Sequence, residues 1–456
     1  MPKSMFLFIG FMIIGTLSGN AQDMRHVTEP TLPPACISLD AHLVAHSGAI
    51  TASDEQALDS ARIQHALDTC AEGHAVVLRA AGLANAFLSG PLQLRDGVTL
   101  IVDKGTTLFA SRDPALYEIG PGSCGIVNQA PPGCRPLISA DHVTAAGVMG
   151  DGVIDGRGGE TLRNQSVTWW QLAEQARGGG RQQVPRIVVA NYANDFTLYR
   201  VTLKNSPNFH VVYNHGNGFT VWGLKIDAPK RGARNTDGVD PGNGSSNVTI
   251  THSYIRAGDD NVALKGGEGG INNVSISHNY FYWGHGMSIG SETLGGVSRI
   301  RVEDLSLDGP DNGLRIKSNA SRGGLVQDVV YDGVCIRNSP HPIFLDTGYT
   351  AAGLLQGDHL PTYRDVTLKD VSLSGGGDIS FNGYSSDHRI GVTLEDVVIT
   401  DAQPYSYSIR HADFHIGPGP MNLQLAGSDA TVTGKASAGE TQKCTTKFVP
   451  FPEGTK

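Results

Sequence analysis

Eight segments between residues 196 and 399 share one hydrophobic pattern. They are Phe196–Leu203, Phe219–Ile226, Val248–Ile255, Val274–Phe281, Ile300–Leu307, Val329–Ile336, Val366–Leu373 and Val392–Ile399. Apolar residues fall at the first, third and eighth positions and often at the sixth, and a polar or small residue takes the fifth. Period-two alternation is the mark of a strand, so each segment predicts two short strands joined by a bend. The segments start 23, 29, 26, 26, 29, 37 and 26 residues apart, a repeat length typical of solenoids. A second series is interleaved with the first: Val262–Lys265, Met287–Gly290, Leu314–Lys317 and Ile343–Asp346.

Strands this short, with no helices between them, exclude a doubly wound sheet. A β-sandwich would supply short strands but not one template eight times over. The pattern predicts an all-β fold, a right-handed single-stranded parallel β-helix whose main-chain hydrogen bonds run between coils. Variable intervals become loops that wall a groove, and the 37-residue interval should carry the longest late loop. Upstream, Val98–Asp103 is rich in β-branched residues, and Gly150–Gly158 reads as a coil turn rather than a phosphate loop, because no helix follows at once. Residues 22–45 are Pro-rich and read as irregular. Asp59–Cys70 reads as a helix, with Asp59 as its cap and Ile63, Ala66, Leu67 and Cys70 on one face. Its expected task is to cover the first coil, whose core and strand edges would otherwise face water. Trp169-Trp170 is open between a sugar-stacking platform and a packing cluster.

Composition narrows the partners. A chain of 456 residues would ordinarily divide, but repeat folds lengthen without splitting, so residues 22–456 are expected to form one domain. The 58 glycines suit many tight turns. A formal net charge of −9 argues against nucleic acid, which needs a broad basic face. Lys3, the apolar run Phe6–Leu17 and the small residues Gly19 and Ala21 read as a signal peptide over residues 1–21, cleaved after Ala21. A secreted protein, monomeric and free of the membrane after cleavage, is expected. Six cysteines fit an oxidising compartment. Six allow 15 connectivities; the expected pairs are Cys124–Cys134 across a Pro/Gly loop, Cys36–Cys70, and Cys335–Cys444 pinning the C-terminal tail. No cysteine or histidine spacing suggests a metal, and no cofactor is implied.

The candidate chemistry lies in four polar clusters: Asn235-Thr-Asp-Gly238, Gly258-Asp-Asp-Asn261, Gly284-His-Gly286 and Arg315-Ile-Lys317. Asp237, Asp260, His285 and Arg315 follow one another at 23, 25 and 30 residues, so stacked coils would bring them into one groove. Glycoside hydrolysis needs one protonated acid for the leaving oxygen and one carboxylate for water or the anomeric carbon. Crowded carboxylates do not all ionise easily, so one should keep its proton. Asp259 and Asp260 would face opposite ways on a flat strand, so both reach one substrate only at a bend, which Gly258 would support. Glycines beside His285 would allow a ligand close to the backbone. Arg315 and Lys317, two apart on a strand, share a face and suit the carboxylate of an acidic sugar. The blander readings are a solvated Asp-Asp turn, a structural histidine and a solvated charged face. Calcium held by the three carboxylates is a further reading.

Together, and in this order and spacing, the four clusters resemble the signature motifs of polygalacturonases, glycoside hydrolase family 28. Phe87–Leu92 and Gly150–Gly158 resemble the family's N-terminal coils. The resemblance implies the parallel β-helix, with Asp259 as general acid and Asp237 and Asp260 holding and activating the water. It gives His285 the task of tuning the acid or touching sugar, and makes Tyr349 and Asn235 substrate contacts, with orienting Asp237 an alternative task for Asn235. Asp240 would stand behind them, and Lys230, Arg231 and Arg234 would either extend an anionic track or only keep their loop soluble. Implied too are inversion and endo attack on the α-1,4 bonds of polygalacturonate in demethylated pectin. The alternatives are exo attack, a pectate lyase-like enzyme, and a β-helix that only binds polysaccharide.

Overall fold

The computed structural model describes residues 22–129, 133–350, 356–441 and 444–453. The expected signal peptide lies outside them. Among the described residues, thirty parallel strands wind into one continuous coil, with one separate antiparallel pair, Ile126–Asn128 with Arg181–Gln183. This is the right-handed parallel β-helix. The first position of each template segment stacks on the next: Phe196 on Phe219, then Val248, Val274, Ile300, Val329, Val366 and Val392. The interleaved strands stack likewise, Val262 on Met287, Leu314, Ile343 and Ile379. All of these side chains are buried, each contributing about 1.5–3 kcal/mol by leaving water.

The fifth template position has a backbone reason. Arg200, Gly223, His252, His278, Asp304, Gly333, Asp370 and Asp396 all adopt positive φ, between 48° and 70°. A left-handed residue turns the chain between the two strands of each coil. Glycine enters that region freely and aspartate and histidine more readily than β-branched residues, which explains the polar or small residue there.

Helix α1 (Ser60–Thr69) closes the N-terminal end, with Ile63, Ala66 and Leu67 joined to the common core. Asp59 does not cap it: the residue is itself near-helical, and its carboxylate accepts from Arg62 Nη2 at 2.5 Å and Nε at 3.0 Å. The guanidinium partner wins over the helix amides because a charge-assisted bond is stronger. Residues 22–45 are not all irregular. Ala35–Asp40 is a strand parallel to Ala75–Arg79, its start tied to the helix end by Cys36–Cys70. Before it, Asp23 accepts from Thr249 Oγ1 at 2.7 Å, Arg25 donates to the Phe219 carbonyl at 3.0 Å, and Tyr199 donates to Glu29 at 2.7 Å. The N-terminal segment is thus laid across the coils.

The other two disulfides pair as expected, Cys124–Cys134 and Cys335–Cys444. The latter starts a C-terminal strap. Phe448 covers Arg337, the Val449 carbonyl accepts from Tyr282, and Phe451 lies 3.9 Å from the Arg256 guanidinium. Gly150–Gly152 is a turn between strands Gly147–Met149 and Val153–Asp155. Trp169–Gln175 forms helix α2, and Trp169 is fully buried, edge-on to Tyr117 at 6.1 Å. Trp170 donates to the Ser206 carbonyl at 2.9 Å. The pair is therefore a packing cluster. In the long late interval the described residues 347–350 and 356–361 form neither strand nor helix, and 351–355 lie outside the described residues. No helix among the described residues is long and apolar enough to cross a membrane.

Candidate active site

Successive coils carry the first three clusters at the same edge of one sheet, the one built from the interleaved strands, and the fourth lies within the next strand of that sheet. Asp237 precedes strand Val239–Gly242, Asp259 and Asp260 precede Val262–Leu264, His285 precedes Met287–Gly290, and Arg315 and Lys317 lie within Asn312–Lys317. Asp237, Asp259, Asp260, His285, Lys317, Asn235 and Tyr349 line one groove of about 610 Å³. A larger cavity of about 790 Å³ lies on another sheet, beside Thr107, Thr202, Lys225 and Phe451, and contains none of the four clusters.

Asp259 and Asp260 sit at the expected bend. Gly258 does not take the left-handed conformation, so its reason is space: a Cβ there would lie 2.0 Å from the Ala233 carbonyl of the coil below. Gly286, at φ 73°, would press a Cβ to 2.0 Å from the Asn312 carbonyl of the coil above. The glycines near the acids and the imidazole thus let coils approach one another, not a ligand.

His285 Nδ1 lies 2.8 Å from Asp259 Oδ1 and 3.9 Å from Asp260 Oδ1. Asp260 is buried and clamped. Its Oδ1 accepts from Arg315 Nη1 at 3.1 Å and Ser288 Oγ at 2.8 Å, and its Oδ2 accepts from Lys317 Nζ at 2.7 Å. Tyr349 closes over both cations, its ring centre 5.1 Å from the Arg315 guanidinium and 5.2 Å from Lys317 Nζ. The sequence reading assigns these cations to a substrate carboxylate; the structure turns them onto Asp260, and Arg315 is buried. Asn235, left-handed at φ 57°, reaches Asp259 Oδ2 at 3.5 Å rather than Asp237. Asp240 is buried in the strand after Asp237. Lys230 and Arg231 are exposed on the groove wall, and Arg234 donates to the Ala173 carbonyl at 3.1 Å.

Lys265 is the residue sequence reasoning missed. Its Nζ lies 2.9 Å from Asp237 Oδ2 and 2.8 Å from Asp240 Oδ2, over the Phe209 ring at 4.2 Å. The signal was present. Lys265 ends Val262-Ala-Leu-Lys265 as Lys317 ends Leu314-Arg-Ile-Lys317, and the registers Leu264–Ile289 and Gly290–Lys317 put both lysines in one row.

Burial and the neighbouring Asp240 push the Asp237 carboxyl well above the usual range. Burial also pushes Asp240 up to about 6, against the pull of Lys265. At Asp260 burial opposes ionisation, but Lys317 and Arg315 outweigh it and hold the carboxyl far below the usual range. At Asp259 burial is outweighed by the hydrogen bond and charge of His285, so its carboxyl is held low. His285 is raised in turn: burial disfavours its charge, and the Asp259 bond more than compensates. Among the three crowded acids of the clusters, one carboxyl resists ionisation. That carboxyl is Asp237, whereas the labile proton beside Asp259 rests on the imidazole.

One oxygen each from Asp259 and Asp260 and a nitrogen of His285 lie within 4.8 Å of one another, a spacing that could hold a metal. Those donors face one another and two fixed cations, whose charge would repel a divalent ion.

Residues 79–414 match the family described as Glycosyl hydrolases family 28. The chain is 43% identical over 397 residues to the endo-polygalacturonase of Pectobacterium carotovorum subsp. carotovorum, covering 86% of this chain and 94% of that one. It is 37% identical over 492 residues to a polygalacturonase of Ralstonia solanacearum, covering 93% and 92%. Among solved structures, a polygalacturonase from Erwinia carotovora ssp. carotovora superposes with TM-score 0.78 at 42% identity, covering 86% of this chain and all of that one.

Proposed function

Because this chain belongs to family 28 of the glycosyl hydrolases, we propose that it is a secreted endo-polygalacturonase that cuts the α-1,4 bonds of demethylated pectin and inverts the anomeric configuration. The observation that carries the reading is the juxtaposition of an imidazole-paired acid, Asp259, and a cation-clamped acid, Asp260, in one open groove.

Asp259 protonates the glycosidic oxygen. Its proton crosses the 2.8 Å bond from His285 once substrate displaces water, because a neutral pair is favoured over an ion pair as the site dries. The C1–O bond then breaks through an oxocarbenium-like state. Water held by Asp260 and by the ionised form of Asp237 attacks the opposite face, and its proton passes to Asp237. Asn235 aligns Asp259, and Tyr349 and Lys317 present the groove floor to the sugar. The exposed Lys230 and Arg231 extend the groove with positive charge suited to a polyanion.

One oxygen each of Asp259 and Asp260 lie within 4.8 Å of one another, and that spacing alone would favour retention, since carboxyl groups roughly 5–5.5 Å apart mark a nucleophile and inverting pairs stand wider. Inversion is the better reading here because the clamp occupies both oxygens of Asp260 and leaves it a poor nucleophile. Asp237 Oδ1 is buried with no protein partner, an acceptor suited to water.

Sizing of products from polygalacturonate over time tests the reading. Mixed oligomers from the first minutes support endo hydrolysis. Mono- or digalacturonate alone would mean exo attack, and unsaturated ends lost on chelation would mean a lyase.

A further inference from the structure

Two lysines in one row of the sheet each grip a buried carboxylate, Lys317 with Asp260 and Lys265 with Asp237. The second pair has a feature the first lacks. Lys265 is shared, at 2.9 Å from Asp237 Oδ2 and 2.8 Å from Asp240 Oδ2. It takes one oxygen of Asp237 and leaves Oδ1 buried and unpartnered. The Phe209 ring, 4.2 Å away, backs the ammonium and limits its movement.

We propose that Lys265 is a positioning residue for hydrolysis: it fixes Asp237 with a single oxygen turned to the attacking water, and its charge favours the ionised form that Asp237 needs to take that water's proton. The inference rests on the role given to Asp237 above. The charged groups around Asp237 are Lys265, Asp240, Asp259 and Asp260, with Arg186 acting on both Asp237 and Asp240. Glu292 faces Lys265. The His210 ring lies against the Asp237 carbonyl, its Nδ1 3.0 Å from the oxygen, and burial lowers that histidine to about 4, so it stays neutral at mildly acidic pH. With Lys265 gone, two buried carboxylates face each other without their shared cation. One must then hold a proton, and water loses its acceptor whenever that proton sits on Asp237. The sign follows: removing the cation raises the pH at which Asp237 ionises, and removing Asp240 lowers it.

The test is reducing-end release from polygalacturonate at pH from about 3 to 8, with kcat and KM separated, for the parent and for K265M, K265R, D240N and K265M/D240N. K265M should lower kcat by about 50-fold or more with KM within about threefold, and move the acid limb of kcat/KM upward by about one pH unit or more. K265R should restore part of the rate and return the limb toward the parent. K265M/D240N should bring the limb below that of K265M, a recovery that a merely structural lysine would not produce. A loss confined to KM would make Lys265 a substrate contact instead, and an unmoved acid limb would overturn the proposal. Should K265M fail to fold, D240N alone decides, since its acid limb must fall below the parent's. D259N in the same assay checks the underlying reading separately: if it hydrolyses at the parent rate, that reading fails whatever Lys265 does.

Discussion

His285 Nδ1 lies 2.8 Å from Asp259 Oδ1, although the two residues belong to neighbouring coils. A hydrogen bond between coils makes the acid's protonation a property of the stack. The imidazole gains a negative partner, which raises it above its ordinary value. The stabilisation from this pair is therefore present at low pH and lost as pH rises through the raised value. Activity should follow the same direction, falling on the alkaline side as His285 loses its proton. H285A should lower kcat by about 100-fold, within the range for general acid catalysis, and should abolish that alkaline limb. A pH–rate profile of parent and variant checks both, and an unchanged limb would separate His285 from the acid.

The Asp260 clamp carries a stability prediction. Removing one partner of a buried ion pair leaves an uncompensated charge, at a cost of about 3–5 kcal/mol. K317M should approach about 3 kcal/mol, because Arg315 stays in place. Adding D260N should recover part of the loss. The carboxyl is held low in the fold, so its contribution is full above the unfolded carboxylate range and fades as pH falls through the depressed value. Urea unfolding at pH 7 and at about pH 3 measures both effects, and K317M should lose less at the lower pH.

The bend position gives a backbone prediction. Gly223 turns its coil at φ 66°, and a Cβ there meets only Arg200, at 3.3 Å from Cγ in its flexible stem and at an ordinary 3.9 Å from Cα. Left-handed backbone costs a non-glycine residue about 1–2 kcal/mol, and β-branched residues the most. G223V should therefore destabilise by at least about 2 kcal/mol and G223N by less than half as much, read by thermal unfolding. Equal losses would mean that space, not dihedral angle, decides the position.

The C-terminal strap contacts Arg337, Tyr282 and Arg256, none of which lines the groove. The Cys335–Cys444 bridge closes a span of 109 residues, and a loop of that order constrains the unfolded chain by about 4–5 kcal/mol. C335S/C444S should lower the unfolding temperature and expose the tail to protease while leaving hydrolysis at 25 °C within about twofold of the parent. A large loss of activity at 25 °C would tie the strap to the groove.

Much of this was legible in the residues, and what escaped has physical causes. The template announced the coils because every coil repeats the same burial and the same left-handed turn; Asp370 and Asp396 obey it as fully as Gly333. The acids and His285 were found because stacking preserves phase, and Tyr349 through the family resemblance; Arg315 and Lys317 stand further along their strand, where the phase of the acids falls on Asn312. Direction was harder. Sequence order places Arg315 and Lys317 in the groove but does not say that a buried carboxylate outcompetes a substrate for them. Gly258 reads as a bend because glycine usually serves one, while here the constraint is the Ala233 carbonyl of another coil. Lys265 was overlooked because it follows an apolar strand and lacks a family-like motif, although it stands in the row of Lys317. Asp59 misled because its sequence neighbour Arg62 competes for it.

Reducing-end release from polygalacturonate by the parent and by D259N, with binding measured on the same samples, tests the convergence of these groups most directly. The account predicts that the variant keeps polysaccharide affinity within about threefold and loses at least about 100-fold of its turnover. Turnover by D259N at the parent rate would contradict it.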